Sequence, residues 1–207
     1  VLELMSDLEK FINDEDYFVP HLIKIAIAHY QFETIHPFLD GNGRLGRLLI
    51  TLYLVSNNVL KKPSLYLSDF FEKNKGYYYD NLMTVRITSN MTQWIKFFLV
   101  GVIETSKESI QVFKDIIKLK NNIETIRLPK LGSKIENGQQ LMKQLFQVPI
   151  TDSKQVAELL KISPSTANRL INALIDLEIL SELTGYKRNR KFIFKEYFRI
   201  FHRELEN

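Results

Sequence analysis

Apolar residues recur every three or four positions through most of the first 120 residues. In the runs Leu22–Tyr30 and Leu48–Val55, the apolar side chains would share one face of a helix. Pro20 suits the first turn of a helix, whereas Pro37 and Pro63 fall in loops. The pattern predicts an all-α domain over residues 1–120, with helices at about 2–13, 20–34, 43–58, 67–73, 76–88 and 91–119.

The pattern changes after a stretch that is rich in Asn, Gly, Ser and Pro and poor in apolar residues. This stretch, residues 121–137, is predicted to be a linker. Beyond it, three short helices and a strand pair indicate a winged helix-turn-helix domain over residues 138–207. The predicted elements are the helices Gln139–Phe146, Ser153–Leu160 and Ser165–Leu177 and the strands Ile179–Leu183 and Lys191–Phe194.

Two turns support this second domain. Residues 161–164, Lys-Ile-Ser-Pro, are typical of the turn between two helices of such a motif. Gly185 and Asn189 lie between the predicted strands and favour a hairpin. Basic residues here are candidates for DNA contacts, although a wing is often basic simply because it is exposed. The candidates are Arg169, Lys187, Arg188 and Arg190.

The composition is that of a globular protein, with 45% of the 207 residues hydrophobic and 25% charged. The chain has no cysteine, which excludes disulfides and thiolate metal sites and leads us to expect a cytoplasmic protein. The most hydrophobic run, Trp94–Ile103, is too short to span a membrane. The net charge of +4, with its excess mainly in the last third, is too small to indicate nucleic-acid binding by itself.

The segment between the second and third predicted helices concentrates chemically active side chains. Residues 36–47 read His-Pro-Phe-Leu-Asp-Gly-Asn-Gly-Arg-Leu-Gly-Arg. Gly41 and Gly43, on either side of Asn42, allow successive backbone N–H groups to point into one concavity. The helix that begins near Gly43 would add the positive end of its dipole. The segment therefore predicts a phosphate-binding site.

Three kinds of side chain extend this prediction to a nucleotide. Arg44 and Arg47 lie three residues apart on one helix face, where two guanidinium groups can hold different phosphates. Asp40 suits Mg²⁺, because a hard divalent ion bridges a carboxylate to phosphate oxygens. His36 can accept the proton of an attacking hydroxyl near neutral pH. Together these groups are the parts of phosphoryl or nucleotidyl transfer.

This segment resembles the motif of the Fic (filamentation induced by cAMP) family. That motif reads His-Pro-Phe, any residue, Asp or Glu, Gly-Asn-Gly-Arg, two variable residues and Arg, and every fixed position is matched. Residues 28–35, 63–68 and 76–79 also resemble family positions, so the resemblance covers residues 1 to about 120. It implies an all-helical Fic core for this part of the chain.

The resemblance also implies an activity: transfer of AMP from ATP to a Ser, Thr or Tyr hydroxyl of a target protein, with release of pyrophosphate. In the family template His36 is the base, Asp40 the Mg²⁺ ligand and Arg47 the contact to the far phosphate. Relatives that act as kinases depart from the Gly-Asn-Gly segment, so the intact segment favours nucleotidyl transfer. The other residues implied to bind the nucleotide are Gly41, Asn42, Gly43, Arg44 and, near the nucleoside, Tyr78 and Tyr79.

Two elements of the family pattern are not found. Many Fic proteins carry an inhibitory helix of the form Ser or Thr, three residues, Glu, and then Gly or Asn, together with a β-hairpin flap that holds the target. Residues 133–137 place the Glu one position too close to the Ser, and residues 202–207 contain no Ser or Thr. Both elements would precede Val1, so we expect the chain to be a core fragment of a longer enzyme.

Each assignment has an alternative. Arg44 and Arg47 also fit a solvated helix face, Asp40 a helix N-cap, and Tyr77–Tyr79 core packing. The protein could instead be a nucleotide-sensing, DNA-binding regulator without chemistry, a remover of AMP from proteins, or a transferase that uses another nucleotide. The partners considered are ATP, a protein with an exposed hydroxyl, DNA through the winged helix and a second copy of the chain in a homodimer, with no membrane.

Overall fold

The fold was obtained as a computed structural model, which describes residues 1–14, 16, 18–186 and 189–201. Its contacts divide the chain into two compact units, Val1–Ile110 and Gln111–Asn207. The fold is mainly α, as the sequence predicts. None of the described helices is long and apolar enough to cross a membrane.

The first unit is built from helices that follow the predicted pattern closely. They are α1(Leu2–Asn13), α2(His21–Ile35), α3(Asn42–Ser56), α4(Leu67–Lys73), α5(Lys75–Thr88) and α6(Thr92–Asn122), the last of which contains the boundary between the units.

Helix α2 is the central element of the first unit. It is apolar on nearly all sides, and it packs against both α1 and α3. Ile25, Ala26 and Ala28 are completely buried, so small and branched side chains let the neighbouring helices approach. The Nδ1 atom of His21 lies 2.9 Å from the hydroxyl of Tyr53, which joins the start of α2 to the end of α3. These contacts fix the two helices whose ends flank the motif.

An aromatic cluster also packs against α2. Trp94 is fully buried and donates a 2.8 Å hydrogen bond from Nε1 to the carbonyl oxygen of Ala26. Phe71 and Phe98 pack around its ring. Aromatic pairs of this kind add to the free energy gained from burial.

Within the described residues, the second unit contains the end of α6, four shorter helices and a small sheet. Residues Ile123–Arg127 form a π-helical turn and Leu128–Lys134 form 3-10 turns. The elements that follow are α7(Ile135–Leu145), β1(Ile150–Asp152), α8(Ser153–Leu160), α9(Pro164–Asp176), β2(Ser181–Glu182), β3(Lys191–Ile193) and α10(Lys195–Phe201).

The three strands form an antiparallel sheet in the order β1-β3-β2, with Thr151 opposite Phe192 and Ser181 opposite Ile193. Strand β1 and helix α10 were not predicted from the sequence. The succession of helix, strand, two helices and two strands is compatible with the predicted winged helix-turn-helix. That assignment stays a prediction.

The predicted linker has more structure than its composition indicates. Ile123 and Leu128 are fully buried, and they belong to the core of the second unit. Arg127 forms a 3.1 Å ion pair with Glu196 and donates to the carbonyl oxygen of Glu178. The boundary between the two units lies after Ile110, ten residues before the predicted domain end at residue 120. Residues 121–137 belong to the second unit.

Candidate active site

His36 forms the C-cap of α2 and begins the motif. Its backbone lies in the left-handed region, with φ 50° and ψ 60°, and its N–H donates a 3.0 Å hydrogen bond to the carbonyl oxygen of Phe32. A left-handed conformation is uncommon for a residue with a side chain, and it ends the helix abruptly. The side chain is exposed, so its imidazole is accessible to a proton donor from solvent or substrate.

Asn42 locks the loop that follows. The backbone N–H of Phe38 donates to Asn42 Oδ1 at 2.9 Å, and Asn42 Nδ2 donates back to the Phe38 carbonyl oxygen at 2.6 Å. Asn42 is only 2% exposed. Its amide is therefore occupied by the loop, and the phosphate contact that the resemblance implies could come only from its backbone.

The start of α3 offers free backbone donors. The N–H of Leu45 donates to the carbonyl oxygen of Gly41 at 3.0 Å, which closes the first helical turn. The N–H groups of residues 42–44 precede that bond, and Gly41 caps the helix without any side-chain hydrogen bond. Gly41 has φ +81°, a conformation that favours glycine. This uncapped helix N-terminus is suited to an anion.

The two arginines of the motif lie over its glycines. A Cβ placed on Gly41 would lie 3.4 Å from Arg44 Nη2, and one on Gly43 would lie 3.3 Å from Arg47 Nη1. Arg47 thus packs closely over Gly43 and Arg44 lies within ordinary contact distance of Gly41, so both guanidinium groups lie beside the helix N-terminus. Such an arrangement can hold two phosphates with charge-assisted hydrogen bonds.

Asp40 lies beside Arg44, with Oδ2 3.6 Å from Nη2, and its other oxygen accepts a 2.7 Å hydrogen bond from the N–H of Gly41. The two side chains are 94% and 77% exposed, so this pair contributes little to stability. The carboxylate instead remains open to solvent at the mouth of the loop.

Behind the motif lies a buried polar group that the sequence reasoning did not single out. His29 is completely buried, and its Nε2 lies 2.9 Å from the hydroxyl of Tyr78. Burial lowers the pKa of His29 to about 4, and the positive charge of Arg47 acts in the same direction. The backbone of Gly46 opposes this change, although Nδ1 makes no well-formed hydrogen bond. The ring is therefore neutral at physiological pH.

Glu33 lies one turn after His29 on the same face of α2, and it precedes the C-cap residue His36 by three positions. Burial raises the pKa of Glu33, and the positive charges of Arg47 and His36 partly oppose that rise. The sequence signal for Glu33 is its position four residues after His29 and three before His36. The many apolar residues of α2 made this polar spacing hard to notice.

Comparison with known proteins identifies the motif. Residues 1–54, from α1 into α3, match the model of the Fic/DOC family. This part of the chain is therefore similar to Fic/DOC proteins. The protein adenylyltransferase fic-1 of Caenorhabditis briggsae is 45% identical over 56 residues, which are 27% of this chain and 11% of that protein. The protein adenylyltransferase Fic of Culex quinquefasciatus is 47% identical over 53 residues, which are 25% and 11% of the two chains.

A bacterial relative and a solved structure extend the comparison. A protein of Aquifex aeolicus named "Probable protein adenylyltransferase" is 36% identical, with 32% of this chain and 28% of that protein covered. The crystal structure of a Fic family protein from Desulfovibrio desulfuricans G20 has a TM-score of 0.51 and 21% identity over 93% of this chain and 54% of that one. That likeness shows the fold alone. Because the matched regions are short parts of the curated relatives, the activity of the whole proteins is a proposal for this chain.

The two tyrosines that the Fic resemblance places near the nucleoside differ in this structure. Tyr78 is 4% exposed, and its ring packs between Phe71 and Trp94. Burial raises the pKa of Tyr78, so its hydroxyl remains protonated. This position favours core packing, the alternative considered above. Tyr79 is exposed, and nucleoside contact stays a prediction for it.

A metal site in residues 36–47 would depend on one carboxylate, that of Asp40. Among the described residues, no group of three or more His, Cys, Asp or Glu side chains could hold a metal ion. Mg²⁺ is commonly held by one or two carboxylates together with substrate phosphates, which is the donor set that Asp40 and a polyphosphate would supply. The exposed position of Asp40 at the loop mouth fits that mode.

The candidate DNA contacts lie in the second unit. Arg169 is exposed on α9 and donates a 3.3 Å hydrogen bond to Thr166 Oγ1. Arg190 is engaged by Glu182 and lies over the ring of Phe192. Lys187 and Arg188 lie outside the described residues. Of the described pair, Arg169 is the one whose side chain extends from a helix into solvent.

Proposed function

We propose that the chain is a protein adenylyltransferase that moves AMP from ATP to a Ser, Thr or Tyr hydroxyl of a target protein. The observation that carries this proposal is the arrangement of residues 36–47: an exposed imidazole ends α2, and an uncapped helix N-terminus with two guanidinium groups begins α3. A proton acceptor, His36, and a phosphate-binding helix N-terminus thus lie on either side of one short loop.

The reaction needs the oxygen of the target hydroxyl to attack the α-phosphorus of ATP. One P–O bond forms there, the bond between the α-phosphorus and the bridging oxygen to the β-phosphate breaks, and pyrophosphate leaves. His36 takes the proton of the attacking hydroxyl, because its exposed ring can approach a bound target. The backbone N–H groups of residues 42–44 and the guanidinium group of Arg44 hold the negative charge that shifts onto the phosphate oxygens.

Arg47 lies deeper than Arg44 and is assigned to the phosphate farthest from the transferred AMP. Asp40 would hold Mg²⁺, which neutralises polyphosphate charge and helps pyrophosphate to leave. The names of the relatives support AMP as the transferred group.

The test is transfer of label from α-labelled ATP to protein in a lysate or to the chain itself. Replacing His36 with Ala should lower transfer by about 10²–10⁴-fold, the usual contribution of a general base, while nucleotide binding persists. His21→Ala is the control: it also removes a histidine from α2, together with its 2.9 Å contact to Tyr53, but it changes no group of residues 36–47. Undiminished transfer by the His36 variant would remove this residue from the mechanism, and absence of transfer by the unaltered chain with every target would refute the activity.

A second candidate, DNA binding by residues 111–207, is favoured by the exposed guanidinium group of Arg169 on α9. Helix α9 begins with a Ser163 cap, Oγ accepting from the N–H of Thr166 at 3.2 Å, and follows α8 through a left-handed Lys161. This is the helix that a helix-turn-helix motif would place in the major groove.

A further inference from the structure

Glu33 occupies a costly position next to the Fic motif. Its Oε1 is buried and has no hydrogen-bond partner among the described residues. A Cβ on Gly46 would collide with this oxygen, so the carboxyl group lies directly against the backbone of α3, one residue before Arg47. An unsatisfied buried carboxyl oxygen destabilises a folded protein, and a neutral or apolar side chain would fit this place at lower cost. The position therefore favours a role for the charge.

The charge on Glu33 acts on two groups of the motif. Arg47 and His36 both stabilise the ionised carboxylate, against the burial that raises the pKa of Glu33. By reciprocity the carboxylate attracts the Arg47 guanidinium group. Asp40 lies beside Arg44 instead, so the two arginines have different carboxylate neighbours.

Arg47 forms no ion pair within the part of the chain that the structure describes, and its Nη1 lies over Gly43. Glu33 thus attracts Arg47 without occupying its hydrogen-bond donors. A direct, bidentate contact would compete with phosphate, whereas attraction over a longer distance leaves the donors free.

We propose that Glu33 is a positioning residue that holds the guanidinium group of Arg47 toward the polyphosphate, and that Gly46 lacks a side chain so that this carboxyl group can reach its place. The inference rests on the proposed function in that the polyphosphate is taken to be that of ATP. Glu33 acts through Arg47 and does not itself contact the substrate.

The test is binding of inorganic tripolyphosphate, the phosphate part of ATP without a nucleoside, measured by calorimetry in the presence of Mg²⁺. Glu33→Gln keeps the shape and removes the charge, and we expect affinity to fall about tenfold, which corresponds to a coupling of ordinary size between neighbouring groups. Glu33→Asp keeps the charge and should recover part of the affinity. Glu72→Gln removes an exposed carboxylate that pairs with Lys75 and serves as the control.

A double variant shows whether the effect passes through Arg47. In an Arg47→Ala background, Glu33→Gln should change affinity by less than about twofold, because the group that Glu33 positions is already gone. An equal tenfold loss in both backgrounds would overturn the inference, as would an affinity of the single Gln variant within about twofold of the unaltered chain. Melting temperature separates this effect from folding, since removal of the buried charge should leave it equal or higher.

Gly46→Ala provides an independent variant. The added methyl group would displace the Glu33 carboxyl group and would lie 3.1 Å from His29 Cε1 and 3.2 Å from Phe32 Cδ1, so stability falls as well. Tripolyphosphate affinity per folded molecule should fall as in Glu33→Gln, and unchanged affinity would contradict the inference.

A chain that binds tripolyphosphate in a Glu33-dependent way but transfers no AMP refutes the proposed function and supports the inference. A chain that binds no tripolyphosphate refutes the inference.

Discussion

Asn42 and Phe38 are joined by two reciprocal hydrogen bonds, from Phe38 N–H to Oδ1 at 2.9 Å and from Nδ2 to the Phe38 carbonyl oxygen at 2.6 Å. An amide is the side chain that can donate and accept at one place in this manner. The pair holds the loop between His36 and the start of α3 in one conformation. The fixed Asn of the motif is thereby explained as a structural requirement of the loop.

Replacing Asn42 with Asp should therefore disrupt the loop although the size of the side chain is unchanged. The carboxylate would face the Phe38 carbonyl oxygen without a proton to share, and a buried acceptor would lose its partner at a cost of about 1–3 kcal/mol. Urea unfolding should show that loss, and AMP transfer should fall with it. Asn58→Asp is a suitable control, because Asn58 is exposed just beyond α3 and its side chain makes no hydrogen bond within the described residues. Equal stability of the Asn42 variant and the unaltered chain would contradict the assigned role.

The buried histidine predicts a pH dependence of stability. The pKa of His29 is lowered to about 4 in the folded state from an ordinary value of 6.5, so the unfolded chain binds a proton more readily than the folded chain. The contribution of His29 is complete above pH 6.5 and is lost as pH falls toward 4, by about 3 kcal/mol in total. Glu33 acts in the opposite direction, because its pKa is raised on folding.

Urea unfolding between pH 4 and pH 7 measures this dependence. In His29→Gln the part of the slope between pH 6.5 and pH 4 should disappear, whereas His21→Gln, which alters an exposed histidine, should retain it. A His29 variant with an unchanged slope would assign the dependence to other groups.

The sequence predicted helices well and small strands poorly, for a physical reason. Helix α1 was predicted at 2–13 and found at Leu2–Asn13, because three-and-four spacing over many residues leaves one consistent face. Strand β1 has three residues, with Thr151 buried, and such a segment has too few alternations to be distinguished from a loop. Its pairing with β3 is set by contacts distant in sequence, which composition does not encode.

The same contrast holds at the site. The motif residues His36, Arg44 and Arg47 were visible because few structural loops need an imidazole, glycines and guanidinium groups together. The place of Glu33 depends on the packing of α2 against α3 at Gly46, which a one-dimensional pattern does not show. The buried position of Tyr78 likewise follows from its contact with His29, 49 residues earlier in the chain.

The two tyrosines of α5 should respond differently to substitution. Tyr78→Phe removes the hydroxyl that lies 2.9 Å from His29 Nε2, and the buried nitrogen left without a partner should cost about 1–3 kcal/mol of stability. ATP affinity should change little. Tyr79→Ala removes an exposed ring and should leave stability almost unchanged, while raising the KM for ATP if that ring contacts the nucleoside. A KM increase in Tyr78→Phe with unchanged stability would reverse these assignments.

Two basic residues of the second unit, Arg169 and Arg190, should respond differently to substitution, the first in DNA binding and the second in stability. Arg169 is exposed on α9, so Arg169→Ala should weaken binding to a DNA duplex and reduce the slope of log affinity against log salt by about 1. Arg190 is held by Glu182 and lies over Phe192, so Arg190→Ala should mainly loosen the pairing of β2 with β3. Fluorescence anisotropy at several salt concentrations measures the first effect, and thermal unfolding the second. Duplex binding that is equally strong, with an equal salt slope, in Arg169→Ala and the unaltered chain would argue against α9 as a DNA-contacting helix.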